Sequence, residues 1–126
     1  MLRNQAILHA AVAALMLAAA SPAGAENWQA FGTDEDGTSA FLDMDSIVAS
    51  GNIRTFSMKY VVPSIPQVSH SIIRQRVDCT ARTVDLVHMT AFGIKGEVLV
   101  DQDDTEPARP VLPGSKGETV FRKVCQ

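Results

Sequence analysis

Cysteine is scarce in this chain, with two among 126 residues. They do not form a C-x-x-C motif, and two thiols alone do not complete a structural zinc site. Histidine is nearly as rare, with three in all. No G-x-S-x-G elbow is present to hold a nucleophilic serine, and Ser69-His70-Ser71 has no supporting motif around it. There is no basic excess. Lys plus Arg total 11 against 14 Asp plus Glu, and the formal net charge is −3. That balance excludes a broad electrostatic footprint for nucleic acid. The acidic runs Asp34-Glu35-Asp36 and Asp101-Gln102-Asp103-Asp104 lack the ligand spacing and closing Glu of an EF-hand, so they read as solvated turns. Internal repeats and low-complexity segments are also missing. The chain therefore reads as a non-enzyme with no cofactor and no metal.

What is present begins with an apolar leader. Arg3 supplies a positive start, and residues 6–20 are apolar except for His9. This run is shorter than the roughly 20 residues needed to cross a bilayer. Ser21 and Pro22 end it, and Ala23-Gly24-Ala25 has the small-residue pattern of a cleavage site. The expectation is a signal peptide over 1–25, cleaved after Ala25, with one domain over 26–126. The competing reading is an uncleaved anchor. No second long apolar run follows, so the mature chain is expected to have no transmembrane segment. Removing Arg3 with the leader makes the net charge one unit more negative. The overall apolar share of 46% is too high for a disordered chain.

In an exported protein, an even cysteine count suggests a disulfide. Cys79 and Cys125 allow one intramolecular pairing. The chain-entropy model credits closing so long a loop with about 4 kcal/mol. A metal or redox pair is the rival reading, and the spacing speaks against it.

The periodicity predicts mainly strands. Residues 28–32 and 38–43 flank Thr33-Asp34-Glu35-Asp36-Gly37, whose Asp-Gly reads as a hairpin tip. Asp43-Met44-Asp45-Ser46-Ile47 suits one helical turn, and Ser50-Gly51-Asn52 another turn. From Ile53 the pattern alternates: Phe56, Met58, Tyr60 and Val62 on one face, Thr55, Ser57 and Lys59 on the other. Residues 63–71 read as a loop. Residues 72–79 read as a strand with Ile73, Gln75, Val77 and Cys79 on one face. Residues 83–92 read as another, with Val84, Leu86, His88, Thr90 and Phe92 together. A tight hairpin between these two places Arg76 opposite Asp85, a pair worth about 0.2–1 kcal/mol. Residues 93–96 turn, 97–101 form a short strand, and 102–113 read as a loop.

The last segment changes period. Ser115-Lys116-Gly117-Glu118 fits the S-x-x-E capping box. Val120, Phe121, Val124 and Cys125 recur at helical spacing, and Arg122 and Lys123 suit the last turn of a helix dipole. A helix this short is marginal alone. With Cys125 on its apolar face and Cys79 on the apolar face of a strand, the disulfide is expected to pin it to the sheet. The predicted fold class is α+β: a mainly antiparallel sheet of about six strands, with one C-terminal helix packed on it and tethered by a disulfide.

Taken in order, several pieces resemble the bacterial surface-adhesin protein E family. They are Trp28, Asp43-Met44-Asp45-Ser46-Ile47 with Gly51, Asp78-Cys79, Ala91-Phe92 with Gly96-Glu97-Val98, Pro113-Gly114-Ser115 and Val124-Cys125. The resemblance spans the mature chain. Phe56 and Phe92 depart from the Trp and Tyr expected there in the family pattern. The resemblance implies an antiparallel sheet with a disulfide-tethered helix, homodimers, and binding to host extracellular-matrix or plasma proteins. It also implies the periplasm or outer-membrane surface of a Gram-negative bacterium. The alternative is a periplasmic accessory protein with an envelope partner and no host ligand.

Few side chains stand out as site candidates. His70 is expected in a loop and His88 on the inner face of its strand, as a satisfied histidine or a pH-sensitive one. Arg74 and Arg76, with Arg54 and Lys59, form a basic patch on the outer face. Val87, Met89 and Ala91 are expected opposite Leu86, which makes that strand apolar on both sides. A partner surface around Val87, Met89, Ala91, Arg74 and Arg76 follows, or else burial by the helix or a loop.

Overall fold

The computed structural model describes residues 26–126; the leader expected at 1–25 lies outside the described residues. Alternation drives the sheet. In β4 (Ile53–Val61), Phe56 and Met58 point inward and are fully buried, while Thr55, Ser57 and Lys59 point outward. The same period aligns Ala40 and Leu42 of β2 (Ser39–Asp43) beside them. The remaining strands are β1 (Trp28–Thr33), β3 (Val48–Ser50), β5 (Val68–Asp78), β6 (Thr83–Gly93), β7 (Val98–Asp103) and β8 (Arg109–Pro110). They form one antiparallel sheet in the order β1-β2-β4-β5-β6-β7, with β3 beside β4 and β8 beside β6. Helix α1 (Lys116–Val124) packs on one face. The architecture is thus the expected α+β sheet with a C-terminal helix, with more strands than expected.

The two extra strands are β3 and β8, at three and two residues. Neither is long enough for alternation to be visible. β3 is exposed throughout and exists because it pairs with β4; β8 exists because Arg109 and Pro110 pair with Val84 and Thr83. The loop read at 63–71 is shorter than expected. β5 begins at Val68, so His70 lies in a strand, its ring stacked on Phe92 at 4.9 Å. The loop read at 102–113 likewise yields its ends to β7 and β8. The helical turn at Met44–Ser46 forms as expected, as a 3-10 turn with Asp43 accepting from the Asp45 N–H.

The most consequential departure is a bulge in β6. Gln75 pairs with Leu86 and Arg74 with His88, so Val87 is an extra residue on that strand. An extra residue reverses the alternation beyond it. His88, Thr90 and Phe92 therefore lie on the outer face with Arg74, not inward with Leu86. Met89 and Ala91 turn to the inner face, where Met89 pairs with Ile73.

Helix α1 is held at both ends. Ser115 accepts the Glu118 N–H at 3.1 Å, while Glu118 accepts from the Gly114 N–H at 3.0 Å rather than from Ser115 itself. That Gly114 bond, with help from Arg122 and Arg82, lowers the Glu118 pKa. Val120, Phe121 and Val124 enter the core with Phe56, Leu42 and Val77. At the far end Cys125 is bonded to Cys79, with their Cα atoms 5.7 Å apart. Arg54 donates to the Val124 carbonyl at 3.1 Å. Arg82, in the β5–β6 turn, lies over the Phe121 ring at 4.8 Å.

Candidate binding surfaces on the two sheet faces

The inner face is not filled completely. Between the N-terminal half of α1, the sheet and the 104–109 segment lies a cavity of about 340 Å³. Its walls follow from the strand alternation. Phe56 comes from β4, Val77 from β5, Val84 and Leu86 from β6, and Val120 from the helix. Polar groups enter from few directions. Tyr60 and Gln75 sit at inward positions of β4 and β5. Burial pushes the Tyr60 phenol above its ordinary value, and Gln75 offsets part of that rise. Lys116, the first residue of α1, brings its Nζ within 2.8 Å of Asp34 Oδ1. The two form a salt bridge whose angles are not those of an aligned hydrogen bond, and the ammonium nitrogen has no other partner among the described residues. Asp34 and Asp104 stand on the lining as well; Arg109 does too, and it is paired with Glu106.

The outer face is built differently. Among the described residues no helix covers it, and the rows through its centre are polar. Ser57, Arg74, His88 and Asp103 follow one another across four strands, as do Thr55, Arg76 and Asp85 across three. Arg76 meets Asp85 at 2.8 Å, the pairing expected from the sequence. His88 is held from both sides, Nδ1 at 2.6 Å from Asp103 and Nε2 at 2.5 Å from Asp101. The Asp103 and Asp101 hydrogen bonds raise the His88 pKa, and the bond from His88, then that from Thr90, lowers the Asp101 pKa. Near β1 and β2, Lys59 Nζ lies 4.8 Å from the Trp28 ring and 5.1 Å from that of Phe41. A shallow depression of about 480 Å³ opens around Thr55, Arg76, Asp78 and Asp85.

The residues expected to share one partner surface are divided between these faces. Arg74 and Arg76 are exposed on the outer face. Ala91 is 6% exposed and part of the interior. Met89 is half-buried on the inner side, and Val87 is half-buried at the bulge. Arg54 leaves the basic patch because it pairs with Val77 and serves the helix end. The cavity residues escaped the sequence reading. Tyr60 and Gln75 did carry a signal, being polar groups at core-facing strand positions. Lys116 carried none, since a first-turn lysine ordinarily points to water.

Among the described residues there is no metal-ligand cluster and no helix long and apolar enough to cross a membrane. Residues 28–126 match the family model described as surface-adhesin protein E. Neither the curated proteins nor the solved structures contain a match.

Proposed function

The chain belongs to the surface-adhesin protein E family, and from that premise we propose that it is an exported, non-catalytic module that binds host extracellular-matrix or plasma proteins. The observation that carries the proposal is the family match over residues 28–126, nearly the whole of the described chain. Membership suggests an adhesin-like protein at the surface or in an exported compartment. The leader read at 1–25, with cleavage after Ala25, fits that route and leaves a mature domain over 26–126.

The outer face is the better contact surface. Its charged rows are open, whereas the inner face is occupied by α1. Arg74 and Arg76 are the residues assigned to a protein partner, with Val87 at the edge of the patch. Ala91 is buried and Met89 is half-buried beside Gln102, Asp104 and Glu106, so neither is assigned to the partner. Pairing of two copies belongs to the same proposal, and light scattering of the oxidised protein tests it.

Surface plasmon resonance with immobilised vitronectin and laminin tests the adhesin reading. Saturable binding is expected, and Arg74→Glu with Arg76→Glu should weaken it about tenfold, as loss and reversal of two charges does. Binding no stronger than that of an unrelated secreted domain of equal charge would sink the reading. Protease treatment of intact cells then separates a surface protein, which is cleaved, from a periplasmic accessory protein, which is protected.

A further inference from the structure

We propose that the cavity between α1 and the sheet binds a small amphipathic monocarboxylate. Its apolar body would rest on Val84 and Leu86, with the buried Phe56 and Val77 behind them, and its carboxylate on Lys116. This site lies on the opposite side of the sheet from the surface assigned to a protein partner, so either assignment can fail alone.

The volume comes first. Protein interiors pack to crystal-like density and leave few voids larger than a water molecule. This cavity is not an internal void: it opens to solvent past Asp34 and Arg109, and its volume of about 340 Å³ falls at the small-ligand end of known binding sites. It lies against the core cluster, with exposed residues at its mouth. Phe56 and Val77, at 0% and 2% exposure, form part of its floor.

The polar groups then select the ligand. An ammonium has three donors and no acceptor. Lys116 lies on the cavity wall, and its salt bridge to Asp34 at 2.8 Å leaves its other donors without an acceptor among the described residues. Asp34 is 55% exposed and stands at the solvent side. An oxyanion inside the cavity would supply the missing acceptors. The other cation, Arg109, is paired with Glu106 at the exposed rim of the cavity. Asp34 and Asp104 on the same lining oppose additional negative charge. One carboxylate on an apolar body fits this arrangement; a dianion or a phosphate does not. Tyr60, half-buried on the same wall, offers a hydroxyl for the second carboxylate oxygen.

The Lys116–Asp34 pair adds little to the fold, because Asp34 is 55% exposed and the pair is screened by solvent. An apolar side chain of similar length is expected to be equally or more stabilising there.

The test titrates the oxidised, exported protein with octanoate, octanol and octylammonium below micelle-forming concentrations. Amide and methyl chemical shifts are followed. Octanoate should bind saturably and about tenfold tighter than octanol, as a charge-assisted bond implies. Its shifts should centre on Val77, Val84, Leu86 and Val120, and octylammonium should not bind. Lys116→Met should lose the preference for octanoate while melting at the same or a higher temperature, and Lys116→Arg should keep it. Equal binding of octanol and octanoate would overturn the proposal. So would shifts centred on exposed Ile94 and Leu99, an unchanged preference in Lys116→Met, or no octanoate binding at all.

Discussion

The two faces of this sheet divide the labour of the domain. The inner face carries the buried apolar side chains, the helix and the disulfide. The outer face carries charged rows, a clamped histidine and aromatic–lysine contacts, with no covering element among the described residues. A small domain has a limited core. This one concentrates that core on one side of a single sheet and leaves the other side open to solvent. The contrast teaches that stability and a broad contact surface need not compete when they use opposite faces.

Cutting the inner-face tether should have the largest effect. Cys125→Ser is expected to cost about 4 kcal/mol, since it opens the long loop to Cys79. Denaturant unfolding of the variant against the oxidised parent measures this. A loss below about 1 kcal/mol would mean that Arg54, Arg82 and the core contacts hold α1 without the disulfide.

Phe121→Ala comes next, at about 3 kcal/mol, because the ring is 4% exposed and leaves a cavity in the core. Its counterpart on the outer face, Ile72→Ala, should cost about 1 kcal/mol or less. Thermal melts of the two variants compare the faces directly. Equal losses would erase the distinction.

Ser115→Ala should cost about 1 kcal/mol, the usual worth of an N-cap that accepts a first-turn amide. Hydrogen exchange should show the loss in the first turn of α1, with the sheet amides unaffected.

The smallest effect concerns pH and the outer face. Two carboxylates hold the His88 imidazolium, and its pKa in the folded protein is raised. Its contribution is thus fully present below the unfolded value of about 6.5 and is lost as pH rises through the raised folded value. Asp101 shifts the other way. Its contribution is present above its ordinary value of 3.8 and is lost as pH falls through the lowered one. An NMR titration should place the His88 midpoint above about 6.5. In His88→Gln, the protection of the β7 amides relative to their intrinsic exchange rates should no longer change with pH across that range.

Much of the architecture was legible because it depends on local period. The alternation at Phe56, Met58 and Tyr60 identified β4, the S-x-x-E box located the helix start, and two cysteines on apolar faces predicted the tether. Arg76 found Asp85 because a tight turn sets the register. The site was less legible. Val87 looks like any strand residue, yet as the unpaired residue of a bulge it moves His88 outward and Met89 inward. Arg54 looked like part of a basic face, but its strand position turns it toward the end of α1.

By itself, the amino-acid sequence determined the class of the molecule: sheet strands from twofold periodicity, a terminal helix from its cap and spacing, and one covalent link between them. These are properties of neighbouring residues and of the bonds their side chains can make. Only the tertiary structure decided which face each side chain occupies beyond the bulge, and where helix and sheet fail to close. Both depend on strand pairing between distant segments, where one unpaired residue reverses a whole face and a lysine at a helix start becomes the wall of a cavity.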